Sequence, residues 1–321
     1  MRVFLTGGTG FIGGAVARQL RDLGHEVVAL VRTPETADDL RRVGAELVEG
    51  DLSTADGIAY AAHGCDVAVH GAAIYRIGVT AAEAEELRRT NVAGTEHALE
   101  GLTRAGVEKI VHVSTVGVFG DTRGAVVDES YERDPAAGFL SVYDETKYRA
   151  HQIALEHLDA GAPIVIVQPA AVYGPRDHSE IGATLVRAAQ GKLPASALTT
   201  LGLSMVHVDD VAAGIILALE KGVVGERYIL SGERATMGEL IKRAAILGGR
   251  KPPRFTVPTR VLKLISPAGP VLAPVLGMPK NLKEAVAASD GVTYYASHAK
   301  ATAELDYRPR SITDGLASAL T

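Results

Sequence analysis

Six short runs are apolar through most of their length: RVFLT (2–6), EVVALV (26–31), AELVEG (45–50), DVAVHG (66–71), KIVHVS (109–114) and PIVIVQ (163–168). Polar residues do not alternate with apolar ones, which is how strands buried on both faces read. Longer helical patterns separate the runs. Strand and helix alternating in this way predict an α/β fold, a Rossmann-type doubly wound parallel sheet with helices on both faces. Residues 1–170 are expected to form this doubly wound domain. After Pro169 the rhythm changes. Segments 206–208 and 226–230 read as further strands, so a stretch of about 206–230 is expected to return to the first domain. Residues 171–205 and 231–321 are expected to make a smaller substrate-binding lobe. Within that lobe, residues 251–280 hold half of the 14 prolines and no strand–helix alternation, predicting short apolar helices broken by proline and packed over a cleft, with a lid or a membrane-touching surface as the alternative.

Composition narrows the class. A 321-residue chain with 47% hydrophobic and 22% charged residues is a globular protein, not a disordered one. Its 33 basic and 38 acidic residues give a net charge of −5. No continuous run of Lys or Arg marks a nucleic-acid footprint, so no nucleic-acid partner is expected. Cys65 is the single cysteine, which excludes an internal disulfide and a cysteine-based metal cluster, and fits a reducing compartment. The longest membrane-like run, VAAGIILAL (211–219), is about half of the roughly 20 residues a spanning helix needs. The reading is therefore a cytoplasmic protein with no membrane partner and no cysteine-based metal cluster.

The candidate chemistry begins where the first strand ends. In TGGTGFIGG, Gly7, Gly10 and Gly13 recur every third residue, a variant of the G-x-G-x-x-G spacing. Glycines let the backbone turn sharply against a pyrophosphate, and the free N–H groups of the helix start, Phe11 and Ile12 among them, offer an anion site. Thr9 lies within the same turn. No acidic residue occupies 28–34, and Arg32 stands at the end of the second strand. An arginine there accommodates a 2′-phosphate, whereas an acid would bind the ribose 2′-OH, so NADP is expected over NAD. At the end of the third strand, Asp51 is placed to accept from an adenine amino group, with Leu52 against the ring.

The ordered motifs TGGTGFIGG, Asp51-Leu52, HGAA (70–73), TNVAGT (90–95), STVGVFG (114–120), YDETK (143–147), PAAVYGP (169–175) and VHVDDVA (206–212) resemble the extended short-chain dehydrogenase/reductase superfamily, of the NAD(P)-dependent epimerase/dehydratase type, over nearly the whole chain. VRTP, AAIYR and the ending KATAELDYRPRSITDGL look most like dihydroflavonol-reductase-like members; VYGP and VHVDDVA are shared with nucleotide-sugar epimerases. The resemblance implies a catalytic hydroxyl at Thr115, with Ser114 the alternative, a proton-transferring Tyr143 and a Lys147 that favours the phenolate and anchors the nicotinamide ribose. Tyr and Lys four apart share one helix face. It further implies that Gly71, Ala72 and Ala73 line the cofactor, that Pro169 and Val172 border the nicotinamide, that Asn91 and His207 are structural polar contacts, and that two chains pair through the helices carrying Asn91 and Tyr143.

Two departures select among reactions. The related dehydratases carry Asp and Glu after the catalytic Thr, and here Val116 and Gly117 follow. Sugar-nucleotide enzymes often carry an arginine just before the VHVDD-like segment, and here Leu203, Ser204 and Met205 precede it. The expectation is an NADPH-dependent reductase of a small, uncharged carbonyl, reversible as an alcohol dehydrogenase. The alternative is a sugar or nucleotide-sugar 4-epimerase.

Overall fold

The computed structural model describes residues 1–265 and 281–320. Its strands are β1 (Arg2–Thr6), β2 (Glu26–Val31), β3 (Glu46–Glu49), β4 (Val67–His70), β5 (Lys109–Val113), β6 (Ile164–Pro169), β7 (Ala171–Tyr173), β8 (Gly202–His207), β9 (Arg227–Leu230), β10 (Arg234–Thr236) and β11 (Thr293–Tyr294). Seven of them form one sheet in the order β3-β2-β1-β4-β5-β6-β9, with every neighbouring pair parallel. All six apolar runs are in it. Both faces are covered, which is why the runs do not alternate: Val3, Leu5, Val69, Val111 and Val167 enter one hydrophobic layer, and Phe4, Ala68, Ile110, Ile164 and Ile166 enter the other. The strand order reverses between β1 and β4, and open α/β sheets hold ligands beyond the carboxyl ends of strands at such a switch point.

A smaller sheet is built on β8, which pairs with β7 and β11 in parallel and with β10 antiparallel. The strand expected at 206–208 is the end of this longer strand and stops at His207. The chain turns helical at Val208 because Asp209 and Asp210 suit the positive end of a helix, and His207 caps it by accepting from the Asp209 N–H at 3.2 Å. The helix Val208–Lys221 then packs on the first helix, Phe11–Asp22, where Gln19 donates to the Asp209 carbonyl at 2.9 Å, and the chain re-enters the large sheet through β9. Of the proline-broken helices expected in 251–280, Thr259–Ile265 is present; residues 266–280 lie outside the described residues. No described helix is long and apolar enough to cross a membrane.

The long helix Val142–Asp159 is fixed at its start from three directions. Ser141 caps it by accepting from the Asp144 N–H at 3.0 Å, worth about 1 kcal/mol. Asp144 forms a buried pair with Arg133 at 2.6 Å, tying down the preceding loop. Glu284, on the helix Leu282–Ala287, accepts from the N–H groups of Val142 (2.9 Å) and Val79 (3.3 Å). The C-terminal lobe is thereby bolted to the start of the helix that carries Tyr143 and Lys147.

Candidate active site

The turn after β1 and the loop after β4 meet at the switch point. Gly7 has φ +78°, and a Cβ there would stand 2.7 Å from the Ala72 nitrogen and 2.8 Å from the Gly71 carbonyl carbon. No side chain fits, and a β-carbon at Gly13 would overlap the Gly7 carbonyl. Gly10 opens the helix Phe11–Asp22 with no side-chain cap, leaving the first-turn N–H groups of Phe11 and Ile12 for an outside acceptor. Thr9 and Gly10 are exposed. This close backbone approach beside an open helix start fits a dinucleotide pyrophosphate.

Arg32 and Asp51 are exposed at the ends of β2 and β3. The Asp51 carboxyl accepts from the Ser53 N–H at 2.9 Å; that turn, helped by the charges of Arg32 and Arg89, holds it below its ordinary range. Leu52 packs against Gly94. At the other flank Pro169 ends β6 beside Leu230, and Val172 sits half-buried on β7 opposite Val206.

Thr115 and Ser114 part ways. The Thr115 oxygen accepts from the Gly117 N–H at 3.1 Å, leaving its hydrogen free to be donated, and the hydroxyl lies near enough to the Tyr143 phenol to lower it. Ser114 points to the buried side and bonds His151 at 3.0 Å. Tyr143 is half-buried, with the Tyr75 ring edge-on at 4.8 Å. Burial first, then Tyr75, raises the phenol above its ordinary pKa, against the Thr115 hydroxyl, which lowers it. Lys147 is buried; its ammonium donates to the Val113 carbonyl at 3.1 Å, and burial lowers it to about 8. The influence that governs the phenol in this structure is therefore desolvation, not the lysine charge.

Asn91 is the knot between the loop after β4 and the Tyr–Lys helix. It lies in a π-helical turn, Arg88–Ala93, a form that recurs at functional sites. It accepts from the Ile74 N–H (2.7 Å) and donates to the Ile74 carbonyl (3.0 Å) and the Thr146 hydroxyl (3.1 Å). This holds Ile74, and next to it Tyr75, against the helix.

Sequence reasoning missed a polar row on the sheet face beneath that helix. Thr6, His70 and His112 are level on β1, β4 and β5, and Gln168 lies one step further along β6. Thr6 bonds His70 at 2.8 Å and accepts from the Ala72 N–H at 3.3 Å, and His70 stacks on His112 at 5.4 Å. The ring nitrogens of His112 and the amide of Gln168 are buried without a hydrogen-bond partner among the described residues. The only signal in the sequence was a histidine in each of two apolar runs.

A parallel sheet with a glycine turn at its switch point, and a tyrosine and a lysine on one helix beside it, defines an oxidoreductase that uses a nicotinamide dinucleotide. The sequence profile of the NAD dependent epimerase/dehydratase family matches residues 3–231, and the chain belongs to that family, within the extended short-chain dehydrogenase/reductases. A provisionally named dihydroflavonol 4-reductase from Synechocystis sp. is 36% identical over 99% of this chain and 93% of its own length. The 4-hydroxy-2-methyl-3-oxo-4-farnesyl-3,4-dihydroquinoline-1-oxide ketoreductase of Stigmatella aurantiaca is 35% identical over 72% of this chain and 68% of its own. The solved structure of gox2253 superimposes with a TM-score of 0.84 at 35% identity, covering 99% of this chain and 96% of that one.

Burial lowers His70 to about 3 and His151 to about 4, and holds His112 well below its ordinary value. An unfolded histidine titrates near ~6.5, so between that pH and the folded values the unfolded chain binds more protons and stability falls as pH falls. Each such histidine contributes a slope of about 1.4 kcal/mol per pH unit. Urea unfolding between about pH 6 and pH 4 is expected to show a slope shallower by about that amount in His112→Leu; a slope equal to that of the wild type contradicts neutral burial of His112.

Proposed function

We propose that this chain is an NADPH-dependent carbonyl reductase acting on an uncharged, weakly polar ketone or aldehyde, and in reverse an alcohol dehydrogenase. The observation that carries it is the surroundings of Tyr143. Its neighbours are the Thr115 hydroxyl, the Tyr75 ring and an apolar cluster of Ile74, Val79, Leu87 and Val142. Tyr75 is itself more than half exposed, and the charged groups acting on its phenol are the carboxylates Asp177 and Glu180. A nucleotide-sugar diphosphate calls for cations at such a place, so the surroundings favour a neutral substrate and weigh against the 4-epimerase reading. The farnesylated ketone substrate in the Stigmatella relative's name agrees with that chemistry.

The division of labour follows. Residues 1–170, with the return through about 206–230, hold the cofactor, and residues 171–205 and 231–321 close over the substrate. Gly7, Thr9, Gly10, Phe11 and Ile12 would receive the pyrophosphate, Asp51 and Leu52 the adenine, Gly71, Ala72 and Ala73 the flank, and Pro169 and Val172 the border of the nicotinamide. The reduced nicotinamide supplies the hydride when bound. Thr115 donates to the substrate carbonyl oxygen and holds it beside Tyr143. Tyr143, kept protonated by burial, transfers its proton to that oxygen as negative charge develops, and its raised pKa suits reduction. Lys147, fixed on the Val113 carbonyl, presents its remaining N–H bonds to the ribose.

Tyr143→Phe is expected to lower kcat for NADPH-driven ketone reduction by about 10²–10⁴ while retaining cofactor binding. Full activity in that variant, or sugar-nucleotide epimerisation without net cofactor turnover and no reduction across a ketone panel, overturns the reading.

Arg32 is read as the partner of the NADP 2′-phosphate. Comparative titrations should show NADPH bound more tightly than NADH, with the preference lost in Arg32→Ala; NADH bound as tightly by the wild type sinks the assignment.

The protein is further proposed to be a cytoplasmic homodimer joined through the helical stretch that carries Asn91 (Arg88–Ala93, continuing as Gly94–Ala105) and the helix Val142–Asp159. Light scattering at micromolar concentration should give twice the chain mass, and a monomer contradicts it.

A further inference from the structure

The overall charge balance conceals a strong asymmetry. Between Glu239 and Glu284, residues 240–283 contain nine Lys or Arg and no Asp or Glu, leaving 24 basic and 38 acidic residues elsewhere. A basic sector on an acidic chain is an address for an anionic surface.

The described part of this sector is also apolar on the outside. Phe255 is 73% exposed, Leu264 80% and Ile246 57%, with Leu247 and Val261 also outward. Five of the 14 exposed large hydrophobic side chains among the described residues therefore lie between 246 and 264, interleaved with exposed Arg250, Lys251, Arg254 and Arg260. Lys263 pairs with Asp290 and Arg243 with Glu233, so the charges of these two are already met within the chain.

The exposure is built into the fold. The backbone around Phe255 is pinned: its carbonyl accepts from the Ser196 N–H at 2.9 Å, and the Val257 N–H donates to the Ser196 carbonyl at 2.8 Å. Leu262 anchors the helix Thr259–Ile265 in a cluster with Leu282 and Val286, so Val261 and Leu264 face out. A rigid base that presents aromatic and aliphatic groups among cations is the composition of a segment seated in a bilayer interface. A nucleic acid would satisfy the cations and leave Phe255 and Leu264 unpaid, so the apolar component decides between polyanions.

We propose that residues 246–264 form a docking surface for a bilayer rich in anionic lipid headgroups, with Phe255 and Leu264 entering the acyl boundary and Arg250, Lys251, Arg254 and Arg260 meeting lipid phosphates. No spanning helix is involved. The surface is coupled to the active site: Leu262 packs on the helix Leu282–Ala287, whose Glu284 holds the start of the Tyr143 helix and the Val79 loop. The inference stands on charge and exposure and does not require the reductase reading.

The test is flotation of the full chain with extruded vesicles of phosphatidylcholine alone or mixed with phosphatidylglycerol. Binding to the anionic vesicles should exceed binding to the neutral ones by about tenfold or more at about 0.1 M salt, and should fall sharply at about 1 M. Arg254→Glu with Arg260→Glu, and separately Phe255→Asp with Leu264→Asp, should each reduce it by about tenfold, with thermal unfolding unchanged. The proposal is overturned by equal partition into both vesicle types, by variants that bind like the wild type, or by a Phe255→Asp, Leu264→Asp chain that keeps full vesicle binding and also binds heparin, which marks a general polyanion site. Vesicle binding without ketone turnover would leave this surface standing and remove the reductase reading instead.

Discussion

The contact on which the rest depends is the approach of Gly7 to Gly71 and Ala72, where two backbone segments meet with no space for a β-carbon. It exists because β1 and β4 are neighbours and the sheet reverses its winding between them. The crevice that reversal opens is the one place where a ligand reaches the carboxyl ends of several strands at once. The first helix begins there uncapped, and the loop after β4 runs from there to Ile74 and the Tyr143 helix. A side chain at Gly7 would push these apart and shift everything downstream.

The chemistry is positioned by ties to that crevice. Asn91 binds both backbone groups of Ile74 and reaches Thr146, next to Lys147. Lys147 is fixed on the strand-end carbonyl of Val113, and Glu284 closes the C-terminal lobe onto the same helix. Desolvation follows from this enclosure. It raises the Tyr143 phenol and lowers the Lys147 ammonium, because burial disfavours the charged form of each.

Much of this was legible in the sequence because it is carried by local pattern. The apolar runs give the parallel sheet, the glycine spacing gives the turn, and Tyr143 to Lys147 is a helix-face pair at any location. Thr115 over Ser114 rests on resemblance; in the structure the Ser114 hydroxyl is turned to His151. What was illegible depends on distant residues meeting. Neither Glu284 holding Val142, nor Arg133 holding Asp144, nor the row Thr6–His70–His112 has a spacing that announces it, because each is set by strand register or by how the lobe folds back. The extent of β8 was misjudged because its first residues, Gly202 to Met205, pair in a second sheet whose partners lie far along the chain.

The account is tested most directly by calorimetric titration of NADPH into the wild type and into Gly7→Val, with circular dichroism to confirm that both are folded. The wild type should bind one equivalent per chain, and the variant should bind about tenfold more weakly or not at all. A folded Gly7→Val chain that binds NADPH as tightly as the wild type would contradict the placement of the cofactor at the switch point, and with it the site built around Tyr143.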